Sequence, residues 1–195
     1  KDAIVTVCDE ILAGKLHDQF ICDPIQGGAG TTANMNANEV IANRAIELLG
    51  GQKGDYSIVH PNDHVNRAQS TNDVIPTAAK MTTAKLLVKA ILQVEALDAA
   101  LMLKAEEFKD IIKMGRTQMQ DAVPIRLGAE FGAYSKAIRR DIRRLNVALK
   151  EMYSINLGGT AVGTALNANP AYVEALAPTL SQITNLPLHK AEDLV

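Results

Sequence analysis

One short polar segment, residues 60–73, carries most of the side chains that could do chemistry. Its sequence, HPNDHVNRAQSTND, holds three Asn, two Asp, two His and an adjacent Ser and Thr, with only Val65 and Ala68 plainly apolar. Hydroxyls and amides at the start of a helix suit the binding of carboxylates, because the first backbone N–H groups of the helix are unpaired and carry partial positive charge. The segment therefore predicts a site for a small dianionic or zwitterionic acid.

Two plainer interpretations apply to parts of this segment. Ser70–Asp73 has the composition of a helix N-cap, which needs only one such side chain. His60 and His64 are four residues apart, a spacing that can bind zinc on one helix face, but Pro61 between them argues against a continuous helix. We therefore predict no metal site, and capping and ligand binding both stay open for Ser70–Asp73.

Two further polar segments interrupt the chain, Gln26–Asn36 and Gly115–Pro124. Their hydroxyls, amides and one cation are Thr31, Thr32, Asn34, Asn36, Arg116, Thr117, Gln118 and Gln120. The glycine-rich GGAG of the first segment has neither the Gly-Lys-Ser/Thr ending of a phosphate-binding loop nor a strand before it. No Ser-His-Asp or Cys-His order is present either. These segments predict acid-binding loops, and they argue against nucleotide binding and nucleophilic hydrolysis.

Long helices must position these polar segments. After Pro76 the chain has no Gly or Pro until Gly115 and is rich in Ala, Leu, Lys and Glu, which predicts one very long helix or two nearly collinear ones. Helices this long bury their apolar faces best in an elongated or oligomeric assembly, so we predict an all-α bundle. The other predicted elements are helices over Asn38–Leu49, Ile125–Tyr153 and Ala171–Ser181, loops over Gln26–Asn36 and Asn156–Pro170, and one short strand-like stretch, Tyr56–His60.

Composition limits the functional classes. The 195 residues are 47% hydrophobic, and 20 basic against 22 acidic residues leave a net charge of −2 without a charged tail. This balance predicts neither nucleic-acid binding nor membrane-surface binding. No apolar run approaches the roughly 20 residues of a membrane span, so we predict a cytoplasmic protein in which Cys8 and Cys22 are reduced thiols. Because Lys1 is no natural start, we also expect a fragment of a longer polypeptide.

Four segments in a fixed order are more specific than any one of them. They are GAGTTANMNANEVIANRAIELLG, HPNDHVNRAQSTNDVIPTA, KMGRTQMQDAVPIRLGAEF and NLGGTAVGTALN. Together they closely resemble the aspartase/fumarase superfamily of lyases, over nearly the whole chain from about Asp18 to Val195. Gln118 in GRTQMQDA, where fumarases usually carry His, and the ending AEDLV resemble the aspartase branch more than the fumarase branch.

This resemblance implies a mainly α fold, a long-helix bundle that assembles into a homotetramer with active sites built from loops of three subunits. It implies that residues 1–70 are the C-terminal part of the N-terminal domain and that 71–195 are part of the central helical bundle domain. Carried over residue by residue, the resemblance implies that the substrate is bound by Thr31, Ser70, Thr71, Asn72, Thr117 and Gln118. A weaker transfer gives a second anion site at His60, Asn62 and Asp63.

The reaction implied by the resemblance is the reversible anti elimination of ammonia from L-aspartate, which gives fumarate through an aci-carboxylate dianion. No cofactor is implied, and activation by a divalent cation stays open. The family's Gly-Ser-Ser loop, which supplies the catalytic serine base, is absent from the sequence and is expected downstream of Val195. No catalytic residue is therefore assigned here, and we predict that these 195 residues alone are inactive.

Three alternatives accompany this interpretation. A class II fumarate hydratase is the close alternative, and substrate assays of the complete protein would separate the two. A superfamily member recruited as a structural protein would be expected to have lost them, and Thr31, Ser70 and Thr117 are intact. A generic helical oligomerisation module would explain none of the three polar segments.

Overall fold

The computed structural model describes residues 1–195, which form two compact units: residues 1–79 with 154–195, and residues 80–153. A short 3-10 turn, His17–Gln19, and a π-helical turn, Pro61–Val65, lie between helices. The main elements are α1 Asp2–Leu12, α2 Thr31–Leu48, α3 Thr71–Glu107, β1 Ile112–Thr117, β2 Gln120–Arg126, α4 Leu127–Glu151, β3 Ser154–Ile155, α5 Pro170–Thr184 and β4 His189–Lys190. The predicted mainly α fold is confirmed. None of the helices combines the length and apolar character that a membrane crossing requires.

The stretch around Pro76 folds as a single helix, α3, of 37 residues. Pro76 is its sixth residue, so its missing N–H leaves only the carbonyl of Asn72 without an intrahelical donor, and the helix continues. The prediction of a very long helix is confirmed. α4 and α5 likewise confirm two other predicted helices, with ends that differ by three residues or fewer.

The first polar segment differs from its prediction as a loop. α2 begins at Thr31, so the last six residues of Gln26–Asn36 are helical. Gly30 starts the helix with a φ of 81°, and a Cβ at this position would lie 3.1 Å from Cγ2 of Ile75. The buried positions in the first two turns are Asn34 and Asn38, which is why no apolar periodicity marked this part of the helix.

The second unit contains a β-hairpin that the sequence analysis missed. Gly115–Pro124 was predicted as a loop, but β1 and β2 pair antiparallel from Ile112 opposite Arg126 to Thr117 opposite Gln120. Nearly every hairpin residue is exposed, so no alternation of apolar and polar residues distinguishes two faces. A two-stranded hairpin with this exposure depends on its turn and on its anchored base.

The prediction of a strand-like stretch at Tyr56–His60 is also wrong. Its backbone turns, with the N–H of Ile58 donating to the carbonyl of Asp55 (3.1 Å). Val59 is apolar because it belongs to the core of the first unit and not because it lies in a sheet. That core packs α1 on α2 through Val7, Ala42, Ala45, Ile46 and Val59.

Within residues 80–153, α3 and α4 are held together by close backbone packing and by a partly exposed ion pair. A Cβ on Gly128 would lie 2.3 Å from the carbonyl oxygen of Ala105, so only glycine permits this approach. The carboxylate of Asp98 accepts hydrogen bonds from the hydroxyl of fully buried Ser135 and from Nε of Arg139 (2.8 Å). The large apolar side chains that stay exposed on these helices are Leu86, Val88, Leu92, Leu97, Met102, Leu103, Tyr134 and Val147.

Candidate functional site

The start of α3 is closed by reciprocal hydrogen bonds. The hydroxyl of Ser70 accepts from the N–H of Asn72 (3.3 Å), and the carboxylate of Asp73 accepts from the N–H of Ser70 (2.9 Å). This is a capping box, an arrangement in which each side chain satisfies one unpaired backbone donor. The capping interpretation of Ser70–Asp73 is therefore confirmed. It leaves the hydroxyl of Ser70 at a helix N-terminus, where a carboxylate would also be attracted.

Asp73 also binds the glycine-rich loop between β3 and α5, a contact that the sequence did not reveal. Its second carboxylate oxygen accepts from the N–H groups of Gly158 (3.1 Å) and Thr160 (2.9 Å). Both residues have positive φ, 97° and 58°, and successive N–H groups in such a backbone form a concave anion-binding nest. Burial raises the pKa of the nearby Tyr172 hydroxyl, and the negative charge of Asp73 raises it further. No sequence motif marks Asp73, because its partners lie more than 80 residues away.

Asn72 is held from two sides by the same loop. Its side-chain Nδ2 donates to the carbonyl of Ala161 (2.7 Å). Its own carbonyl, which Pro76 deprives of an intrahelical donor, accepts from Nδ2 of Asn156 (3.2 Å). One N–H and the oxygen of the exposed Asn72 amide are left over for a ligand.

The start of α2 lies against the start of α3 within the first unit. Buried Gly30 approaches Ile75, and Nδ2 of Asn34 donates to Asn66 (3.4 Å), which precedes the cap of α3. Thr31, the first residue of α2, is exposed, whereas Thr71 is only 9% exposed. The N-terminus of α2 thus lies close to the first turns of α3, and the partial positive charge at a helix N-terminus favours a bound anion.

At the second anion position, imidazole rings bind backbone N–H groups of the same turn. Nδ1 of His60 accepts from the N–H groups of Asn62 and Asp63 (3.2 Å each), which caps the π-helical turn. Nδ1 of His64 accepts in turn from the N–H of His60 (2.8 Å). The N–H groups of Asn62 and Asp63, which could bind an anion, are thus already paired with the His60 ring. No group of three or more His, Cys, Asp or Glu side chains in residues 1–195 is arranged to hold a metal ion.

Thr117 and Gln118 lie at the tip of the hairpin in the second unit, and both are exposed. Gln118 and Met119 form the two-residue turn with φ of 49° and 62°, the conformation of a type I′ turn. Such turns favour Asn-Gly, and a side chain in this region costs on the order of 1 kcal/mol. Exposed Arg116 and Asp121 form an ion pair next to the tip (3.1 Å). The tip therefore presents its hydroxyl and amide outward on a strained backbone.

Comparison with known sequences agrees with the family expected from the four segments. A family model described as lyase matches residues 1–195. Aspartate ammonia-lyase of Bacillus subtilis is 56% identical over 193 residues, and that of Helicobacter pylori (strain 26695) is 49% identical over 195 residues. These alignments cover 99% and 100% of this chain but 41% and 42% of the relatives. The chain thus spans about two-fifths of the length of these relatives.

Solved structures resemble the chain along its whole length. A protein described as fumarate lyase:delta crystallin from Brucella melitensis, bound to cobalt, superposes with a TM-score of 0.87 at 50% identity. The superposition covers 100% of this chain and 42% of the Brucella melitensis chain. A class II fumarase from Schistosoma mansoni superposes with a TM-score of 0.88 at 37% identity. This superposition covers 99% of this chain and 44% of the fumarase chain. The chain belongs to the lyase family of the aspartase/fumarase superfamily.

Proposed function

We propose that this chain is part of an aspartate ammonia-lyase, which converts L-aspartate reversibly to fumarate and ammonia. The observation that carries the proposal is the approach of Gly30, which precedes Thr31 at the start of α2, to Ile75 of α3, the helix whose start carries Ser70 and Asn72. Hydroxyls, an amide and helix dipoles together suit a dicarboxylate. The identity of 56% to an aspartate ammonia-lyase supports aspartate as the substrate.

The proposed reaction is an anti elimination. A base removes a proton from the carbon next to one carboxylate, the aci-carboxylate dianion forms, and ammonia leaves the neighbouring carbon. Because that proton is very weakly acidic, donors that already point at the dianion supply the main stabilisation. Ser70, Thr71, Asn72 and Thr31 are proposed as substrate-binding residues on the first unit, and Thr117 and Gln118 on the second. His60, Asn62 and Asp63 are proposed as a second anion position, in which an anion would displace Nδ1 of His60 from the N–H groups of Asn62 and Asp63.

The catalytic base is proposed to lie outside these residues. No Gly-Ser-Ser sequence occurs in residues 1–195, so a serine base of the family type would come from another part of the parent protein, the longer polypeptide that carries this chain. The 195 residues alone are then expected to be inactive. The chemistry uses no organic cofactor. Activation by a divalent cation stays a prediction, and assays with added Mg²⁺ and with a chelator test it.

The exposed apolar residues on α3 and α4 support an oligomer. Six of them lie on α3 within residues 86–103, and water does not favour so many large apolar side chains along one helix. A second copy of the same helices would cover them by packing of the kind found in bundles. We propose a homotetramer. Size measurement in solution at several protein concentrations tests it, and a monomeric parent protein would contradict it.

The second candidate function is fumarate hydration. The likeness to a class II fumarase favours it, whereas Gln118 argues against it: an amide can donate a hydrogen bond but cannot transfer a proton near neutral pH, which a His could do. Gln118→His in the parent protein tests whether this position separates amine from hydroxyl leaving groups. An unchanged preference between aspartate and malate would show that selectivity lies elsewhere.

The deciding experiment measures fumarate by ultraviolet absorbance, with L-aspartate and L-malate in parallel. The parent protein and the 195-residue chain are both assayed. We expect fumarate from aspartate only, and only with the parent protein. Fumarate from malate would favour the hydratase, and activity of the 195-residue chain would show that the base lies within it. A folded parent protein that is inactive on both substrates would contradict the proposed function.

A further inference from the structure

Asp73 has no part in the proposed reaction, yet it binds both the cap of α3 and the glycine-rich loop, which together hold Ser70 and Asn72. Its side chain is fully buried. One carboxylate oxygen accepts from the N–H of Ser70 and completes the helix cap, and the other accepts from the N–H groups of Gly158 and Thr160 in the glycine-rich loop. A single carboxylate therefore fixes the loop against the start of α3.

The glycine-rich loop in turn sets the orientation of Asn72. The carbonyl of Ala161 binds the Asn72 side chain, and Nδ2 of Asn156 binds the Asn72 carbonyl. Because Thr160 and Ala161 are consecutive, an Asp73 carboxylate that holds the N–H of Thr160 also fixes the position of the Ala161 carbonyl. The geometry thus links a buried charge to an exposed amide one residue away on the same helix.

We propose that Asp73 is a positioning residue: by holding the nest at 158–160 it orients the amide of Asn72 towards a substrate carboxylate, and by accepting from the N–H of Ser70 it holds the residue whose hydroxyl lies beside that amide. This inference rests on the proposed function. It extends that function to a residue that would not touch substrate. A carboxylate is needed because both of its oxygens accept hydrogen bonds, whereas an amide would turn an NH2 group towards one set of backbone donors.

The test is Asp73→Asn in the parent protein, with Asp98→Asn as the matched control. Asp98 is also a carboxylate on α3 with side-chain hydrogen bonds, but it lies in the second unit. We measure KM and kcat for L-aspartate, the Kd of succinate as a non-reacting dicarboxylate, and the melting temperature. Asp73→Asn should raise the Kd and the KM by at least tenfold, and Asp98→Asn should change them less than twofold even if both variants melt earlier.

A double-mutant cycle separates positioning from general destabilisation. If Asp73 acts through Asn72, Asp73→Asn should weaken succinate binding much less in an Asn72→Ala background than in the wild type. Equal losses in both backgrounds, or a variant that melts earlier with the Kd of succinate unchanged, would overturn the inference. A wild-type parent protein that is folded but neither binds succinate nor converts aspartate would instead contradict the proposed function.

A milder variant covers the case in which Asp73→Asn does not fold. Asn156→Ala removes the hydrogen bond from the loop to the Asn72 carbonyl without touching a buried charge. It should raise the Kd of succinate about threefold with kcat reduced less. An unchanged Kd in this variant would contradict the claim that the loop orients Asn72.

Discussion

The start of α3 and the tip of the β1–β2 hairpin carry the same kinds of side chain but hold them differently. At the start of α3, Ser70 and Asn72 are fixed by a helix cap and by a loop that a buried carboxylate holds in place. At the hairpin tip, Thr117 and Gln118 are exposed on a turn with positive φ. The comparison indicates that one group of the proposed binding residues is preorganised by contacts within the chain. The other group is held only by an exposed two-residue turn.

The base of the hairpin, unlike its tip, is firmly anchored. The N–H of Leu127 donates to the carbonyl of Ile111 (2.8 Å), and that of Gly128 to the carbonyl of Phe108 (3.0 Å). Gly128 also permits the close approach of α4 to α3 at Ala105. The strain is therefore confined to Gln118 and Met119, and changes at the tip should not spread into the helices.

The largest expected effect is a loss of activity at both regions, accompanied by a loss of stability only at the start of α3. In the parent protein, Ser70→Ala and Thr117→Val should each lower kcat/KM about 100-fold, because each removes one donor to the dianion. Ser70→Ala should also lower the free energy of unfolding by about 1 kcal/mol through the lost cap, whereas Thr117→Val should change it by less than about 0.5 kcal/mol. Initial rates and urea unfolding measure both. Equal destabilisation by the two variants would break the comparison, and full activity of Thr117→Val would remove Thr117 from the site.

The next effect tests the anchored base of the hairpin. Gly128→Ala places a methyl group against the backbone of α3 and should lower the free energy of unfolding by about 2 kcal/mol. Gly132, one turn later on α4, is the control: a Cβ there would lie 3.9 Å from Cβ of Ala105. Gly132→Ala should therefore stabilise by up to about 1 kcal/mol through helix propensity. Urea unfolding compares the two, and no loss in Gly128→Ala would show that the helix contact can adapt.

A smaller effect should come from relief of strain at the hairpin tip. Met119 is 97% exposed with a φ of 62°, so Met119→Gly should stabilise the protein by about 1 kcal/mol and leave activity unchanged. Gln118→Gly should give a similar gain in stability but lower activity, because it removes the proposed substrate-binding amide. If neither variant is more stable, the turn is not strained in the parent protein.

The smallest effect concerns pH. Hydrogen bonds from Ser135 and Arg139 hold the pKa of Asp98 below its ordinary value near 3.8. The folded protein therefore gains stability above the ordinary pKa and loses it as the pH falls through the lower pKa of the folded state. Below about pH 4 the free energy of unfolding of the wild type should fall more steeply than that of Asp98→Asn, because the variant has no carboxylate at this position to protonate. Acid unfolding of both proteins measures this. Identical pH dependence would contradict a role for this pair in joining α3 and α4.

Periodicity and turn chemistry predicted the long helices, and the resemblance of four segments to known lyases predicted the family, but neither predicted the contacts between elements. α3 is marked by 38 residues without Gly or Pro between Pro76 and Gly115, and Gly50–Gly51 follow α2. The hairpin was missed because its turn, Gln118–Met119, lacks the Asn-Gly signal and its strands have no buried face. The contact between Asp73 and the glycine-rich loop was missed because an Asp that only caps a helix has the same local sequence as one that also binds a distant loop.

The cap of α3 also sets an order of assembly for the nascent chain. Strand pairs in the hairpin join residues at most 14 positions apart, from Ile112 to Arg126, so the hairpin can close as soon as it is synthesised. Asp73 must instead find amides 85 and 87 positions further along the chain, and Asn72 a carbonyl 89 positions away. The contacts that preorganise Ser70 and Asn72 can thus be completed only after translation has passed residue 161, later than the hairpin can close.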